Sequence, residues 1–130
     1  VTFRLEDAYH LPADLGSFDG AFAGLWFSHV PIESRLAFIH SLHARLRAQA
    51  KVVFIDNSEV QCREWPIVEA DARGNTYQLR ELRDGTVHRV LKNFPDEAEL
   101  LQLFAPFASK RSFRRLENFW LLEYELADAS

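Results

Sequence analysis

Apolar and polar positions alternate from Val1 to Leu5, with Val, Phe and Leu on one face, which predicts a strand. Phe18 to Leu25 is a small, mostly apolar run, the pattern of a strand covered on both faces. Its glycines, Gly20 and Gly24, point to close approach of another backbone or a ligand. After Pro31, apolar residues fall at Ile32, Leu36, Ile39, Leu42 and Leu46, spacings of three and four that predict one helical stripe. Val52-Val53-Phe54-Ile55 is a continuous β-rich run, as in a buried parallel strand, and it ends at Asp56-Asn57-Ser58. Strand, helix and strand in that order predict a right-handed crossover unit.

The second half is patterned differently. Glu59 to Asn75 is polar and predicts no regular element. Thr76 to Leu82 and Thr86 to Leu91 read as strands around Arg83-Asp84-Gly85, where Asp-Gly predicts a hairpin with positive φ at both central residues. Asp96 and Glu99 have the spacing of a capping box for a helix carrying Leu100, Leu101, Leu103 and Phe104, closed by Pro106. Two strands finish the chain, about Lys110 to Leu116 and Phe119 to Leu126. The tight link at Glu117-Asn118 makes them antiparallel.

Composition adds limits. The chain has 130 residues, 48% hydrophobic and 26% charged, the make-up of one globular domain with a real core. Neither a repeat nor a Pro/Gly-rich linker divides it. A net charge of −4 argues against a nucleic-acid binder. No apolar run approaches the ~20 residues of a membrane helix, and no signal peptide is visible. Cys62 is the only cysteine, which excludes an internal disulfide and a Cys-rich zinc site and fits a reducing, cytoplasmic setting. The chain has no Met and starts at Val1, which predicts either a processed N-terminus or the later part of a longer protein.

The order of these elements resembles the second half of a class I S-adenosylmethionine (SAM)-dependent methyltransferase domain. Glu6-Asp7-Ala8 with Leu11-Pro12 resembles the turn after that family's third strand. Phe18-Asp19-Gly20-Ala21 through Ser28-His29-Val30-Pro31 resembles its fourth strand and the following loop. Leu42 to Arg47, then Val52 to Asp56, resembles the next helix and the fifth strand. Asp84-Gly85 to Lys92, Phe94 to Leu103 and Phe119-Trp120 resemble a C-terminal arrangement of small-molecule members. Ala48-Gln49-Ala50 stands where the family often has Pro-Gly-Gly. The family's Gly-rich loop and ribose-binding acidic residue would both precede Val1.

The resemblance implies an α/β fold: an incomplete Rossmann-like methyltransferase sheet lacking the first two strands, mostly parallel, with a C-terminal antiparallel pair. It implies one domain over 1–130, with a hairpin insertion at about 76–92. It also implies SAM as cofactor and a small-molecule substrate, with this chain alone lacking cofactor binding and activity. The open edge of strand 18–25 then predicts homo-oligomerisation or segment exchange. The rival class is a non-catalytic α/β module serving in dimerisation or protein interaction.

Candidate site residues follow from position and resemblance together. Asp7 and Ala8 occupy the family's adenine-reading turn, a place where Asp also serves as a plain turn residue. Leu25, Trp26 and Phe27 end a predicted parallel strand, outside which ligands bind in open α/β sheets. An aromatic face there suits a sulfonium, and the same residues also suit a core. His29 is the candidate general base, alongside pocket-lining and structural readings. Tyr77, Arg80 and His88, with Lys92, shape the cover over the substrate. His40 and His43 read as a solvated helix face, and no metal site is expected. Lys110, Arg111, Arg114 and Arg115 read as charges guarding an edge strand.

Overall fold

The computed structural model describes residues 1–128. Seven strands and two α-helices follow in the order β1 (Phe18–Gly24), α1 (Arg35–His43), β2 (Leu46–Asn57), β3 (Ile67–Ala70), β4 (Thr76–Glu81), β5 (Val87–Leu91), α2 (Glu97–Phe104), β6 (Ala108–Arg115) and β7 (Phe119–Leu126). The main sheet has the order β1-β2-β7-β6, and β3-β4-β5 forms a second, smaller sheet. The β1–β2 pair is parallel, whereas β2–β7 and β6–β7 are antiparallel. The sheet described is therefore mostly antiparallel, not mostly parallel. The reason is that β7 inserts between β2 and β6, so the final hairpin supplies half of the sheet.

Val1 to Leu5 forms no strand. Its alternation is intact, yet Val1, Phe3 and Leu5 are all at least 90% exposed. A strand is made by its neighbour's hydrogen bonds, and this segment has no neighbour among the described residues. The helical stripe also differs from the sequence reading. Leu36 is exposed, while Arg35, Phe38 and Ile39 are buried, so the helix turns a different face to the sheet. The helix stops at His43, and the following strand starts at Leu46, earlier than its β-rich centre. A bulge absorbs the extra residues: Phe18 pairs with Leu46 but Gly20 with Lys51, and Gln49 within the bulge takes φ 66°. Gly20 suits this close approach, because a Cβ at this position would sit 3.2 Å from the Lys51 carbonyl oxygen, a crowded contact.

The hairpin forms, by another turn than the one its Asp-Gly signals. Only Gly85 has positive φ (83°). Gly85 N–H donates to the Leu82 carbonyl and Leu82 N–H to Thr86, giving a turn followed by a glycine bulge. Asp96 caps α2 by accepting from Glu99 N–H at 2.8 Å. Glu99 does not return the bond, because its carboxylate takes the Arg35 guanidinium at 2.6 Å.

The core lies on one face of the main sheet. Val52, Phe54, Leu122, Tyr124 and Trp120 point from β2 and β7 toward Phe38, Ile39, Leu100 and Phe104 of the helices. The other face carries Phe22, Val53, Ile55, Phe119 and Leu121, with Phe22 71% exposed. At the far end of the sheet, His43 Nε2 lies 2.6 Å from the buried Tyr124 hydroxyl. Burial, aided by the charge of His40, pulls the His43 pKa from 6.5 to about 4. Between those values the unfolded chain holds a proton that the folded chain does not, so stability falls as pH drops through the window. Unfolding free energies from urea denaturation are expected to decline from pH 6.5 to 4 by about 1–2 kcal/mol on this account, allowing for solvent screening of a half-buried ring. His43→Gln keeps an acceptor for Tyr124 and is expected to flatten that decline. An unchanged slope in the variant rejects the assignment.

Candidate active site at the strand ends

β1 and β2 run parallel, so their carboxyl ends open on the same side. β1 ends at Leu25, whose N–H donates to the Ile55 carbonyl at 2.9 Å. Leu25 then takes φ 56°, a strained conformation for a branched side chain, and remains exposed. The turn lets the chain fold back at once into Phe27–His29, a single 3-10 turn. Trp26 is half-buried, 5.9 Å from Phe38 and 6.2 Å from Tyr9 between ring centroids. The Tyr9 contact brings the Asp7–Ala8 turn against the end of β1. Asp7 accepts from Tyr9 N–H at 2.9 Å and faces His10 Nδ1 at 3.1 Å. Those two bonds hold its carboxyl below the ordinary aspartate range. The structure ties the Asp7–Ala8 turn to Trp26 through Tyr9, while Leu25 stays exposed at the strand end.

Phe27 goes elsewhere. It is 1% exposed, stacked on Phe54 at 5.6 Å and edge-on to Trp120, with the Arg35 guanidinium 5.4 Å from its ring. It is a core residue rather than an exposed wall of a substrate pocket.

His29 is half-buried, and its Nδ1 lies 2.8 Å from the Leu91 carbonyl oxygen. A carbonyl only accepts, so the neutral ring carries its proton on Nδ1 and its lone pair on Nε2. Burial, with the positive charges of Lys92 and Arg80, holds the His29 pKa below the usual histidine value, against the opposite pull of Leu91 and Asp56. That shift favours the neutral ring.

The Asp56-Asn57 end of β2 anchors the floor. Asp56 is fully buried, and it accepts from Ser28 N–H at 2.8 Å, Asn57 N–H at 2.7 Å and Lys92 Nζ at 3.1 Å. Lys92, 1% exposed, also donates to Asn57 Oδ1 at 2.8 Å. Burial pulls the Lys92 ammonium below the ordinary lysine value, while Asp56 opposes that shift. From Asn57 the polar chain continues through Gln61 and Gln78 to Arg80. Sequence reading missed Asp56, Asn57, Gln61 and Gln78. The signal was present, since Asp56-Asn57 directly follows a predicted parallel strand.

The hairpin's two faces separate its candidates. Arg80 pairs across the strands with His88 and shares a face with buried Gln78. Tyr77 lies on the other face, with its hydroxyl on Asp71 at 2.9 Å and Arg89 stacked 3.6 Å from its ring. Arg80 and His88 therefore face the same way as the network, and Tyr77 faces away. His88 is exposed and pairs with Thr86. Among the described residues, no cluster of three or more His, Cys, Asp or Glu side chains could hold a metal ion. No described helix is long and apolar enough to cross a membrane.

No family model and no curated protein matches the sequence. Solved structures do. DhpI in its SAH complex superposes with a TM-score of 0.73 at 24% identity, over 98% of this chain and 56% of that one. The DhpI–SAM–HEP complex gives a TM-score of 0.73 at 25% identity, over 94% of this chain and 56% of that one. A SAM-dependent methyltransferase from Methanosarcina mazei gives 0.64 at 18% identity, over 97% of this chain and 68% of that one. The glycopeptide N-methyltransferase MtfA with sinefungin gives 0.62 at 11%, over 93% and 62%.

The fold is that of the C-terminal portion of a class I SAM-dependent methyltransferase domain. SAM is the cofactor of the proteins that share it. The chain spans little more than half the length of DhpI.

Proposed function

We propose that this chain belongs to an enzyme that moves a methyl group from SAM to a small molecule, with His29 as general base. The observation that carries the reading is the His29 ring, fixed by Leu91 with Nε2 unprotonated at the carboxyl end of β1. SAM, when bound, supplies an electrophilic methyl on a sulfonium. Asp7 and the Ala8 N–H would hold its adenine, and Leu25 and Trp26 would wall the crevice. The exposed, left-handed Leu25, and the Asp7–Ala8 turn linked to the next residue through the Tyr9–Trp26 contact, support that placement. His29 takes the proton that the acceptor loses as the new bond forms, and the crevice aligns the reactants.

Asp7, Ala8, Leu25 and Trp26 would supply only one wall of the cofactor site. The chain alone is therefore expected to bind cofactor weakly and to be inactive. Calorimetry with S-adenosylhomocysteine is expected to give no binding in the micromolar range, and micromolar affinity would overturn the claim.

A second reading has its own observation. The outer edge of β1 is unpaired in the sheet order, and Phe18 and Phe22 beside it are 47% and 71% exposed. An apolar open edge recruits strands. Pairing of two copies, or exchange of segments between them, would cover it, in a non-catalytic module as well as in an enzyme. Light scattering is expected to show mass rising with concentration; a clean monomer at high concentration would count against it. The single free Cys62 fits a reducing, cytoplasmic setting.

A further inference from the structure

The polar network at the strand ends carries more positive than negative charge, and its one carboxylate is already used. Asp56 accepts Lys92 and Asn57 on Oδ1 and Ser28 on Oδ2. Lys92 is spent on Asp56 and Asn57. Arg80 is different. Its Nε and Nη2 donate to a single neutral acceptor, Gln78 Oε1, at 3.3 and 2.9 Å. Its Nη1 has no partner among the described residues, and no described carboxylate forms an ion pair with it. Gln78 in turn is held by the Trp65 carbonyl at 2.6 Å, so the guanidinium is braced from behind. The buried Gln78 places Arg80 on the inward face of the hairpin, half-buried, together with His88. Cys62 adds no negative charge, because burial pushes its thiol up.

We propose that the methyl acceptor carries an anionic group, a carboxylate or a phosphate-type oxyanion, and that Arg80 anchors this group beside His29. A planar guanidinium matches both anions by a two-pronged pair of bonds. A braced, half-buried cation without a counter-ion is a site prepared for a charge that arrives with the ligand. Arg80 would then hold the acidic end of the acceptor, and His29 Nε2 would face its nucleophilic atom. The proposal rests on the methyl-transfer reading for its meaning, but anion binding itself requires neither cofactor nor turnover.

The test uses this chain and inorganic phosphate, followed through the His29 ring nitrogens by NMR. Phosphate is expected to saturate with a Kd of about 1–10 mM. It should also raise the His29 titration midpoint, because an anion beside the ring favours imidazolium. An acetate arm separates a carboxylate preference from a phosphate one. Arg80→Gln should weaken binding about tenfold or more, whereas Arg83→Gln, the same charge change at the hairpin tip, should leave it within twofold. Arg80→Lys should keep part of the affinity. Failure of both anions to saturate overturns the proposal, as does equal loss in the Arg80 and Arg83 variants. If anions bind as expected while cofactor never docks beside Leu25, only the methyl-transfer reading fails.

Discussion

Asp56→Ala is expected to cost about 3–5 kcal/mol of folding free energy, the usual penalty for breaking a buried ion pair from one side. Lys92 is 1% exposed and would be left as a charge with only Asn57 for company. The Ser28 and Asn57 N–H groups would lose their acceptor as well. Against a total of about 5–15 kcal/mol for an ordinary domain, that loss approaches unfolding. Urea denaturation measures it through a lower midpoint at unchanged slope. Asp56→Leu combined with Lys92→Met removes both charges and is expected to recover at least half of the loss. A cost below about 1 kcal/mol for Asp56→Ala would mean that Lys92 finds water, and that the pair does not pin the hairpin to β2.

His29→Gln, placed in the complete methyltransferase domain, is expected to lower kcat by 10²–10⁴, the range of a lost general base, with the KM for SAM unchanged. Gln retains a donor to the Leu91 carbonyl but no base, which separates proton transfer from packing. The pH profile gives a second reading. The base works when neutral, and burial with Lys92 and Arg80 lowers its pKa. The rate should therefore climb with pH below the ordinary histidine value and be level at neutrality. Arg80→Gln removes one of the depressing charges, so the midpoint of that climb should move up. A kcat that survives His29→Gln within a factor of about three would assign His29 to pocket lining or structure.

Much of the frame was legible because single segments carry it. Val52–Ile55 is apolar on both faces and had to be an inner strand. Phe119–Leu126 alternates cleanly, and the structure buries Trp120, Leu122 and Tyr124 on one side. Asp96 marks the start of α2 by its own side chain. The failures share a cause: they depend on partners distant in sequence. Val1–Leu5 has the pattern of a strand but no neighbour to pair with. Ile67–Ala70 is short and none of it is buried, so its four residues form a strand only because Tyr77 and its neighbours lie beside them.

The site divides in the same way. Where a site is to be expected was legible, since the loop after a parallel strand is a fixed place in this architecture. Its composition was not. Trp26 and Phe27 are adjacent aromatics, and after the strained Leu25 backbone Phe27 enters the core while Trp26 packs half-buried at its margin, between Phe38 and Tyr9. Arg80 and Tyr77 were both candidates in the hairpin, and strand parity alone decides that they face opposite ways. The pairing of Lys92 with Asp56 joins residues 36 apart, for which neither local pattern gives a sign.

The central claim is that the carboxyl end of β1, with the Asp7–Ala8 turn, is the cofactor wall of a methyltransferase. Amide chemical-shift mapping of this chain against millimolar S-adenosylhomocysteine tests it most directly, because weak binding still marks its residues. The account predicts shifts concentrated at Asp7, Ala8, Leu25 and Trp26, with the His40–His43 end of the sheet unchanged. Shifts centred at that far end, or none at all, would contradict it.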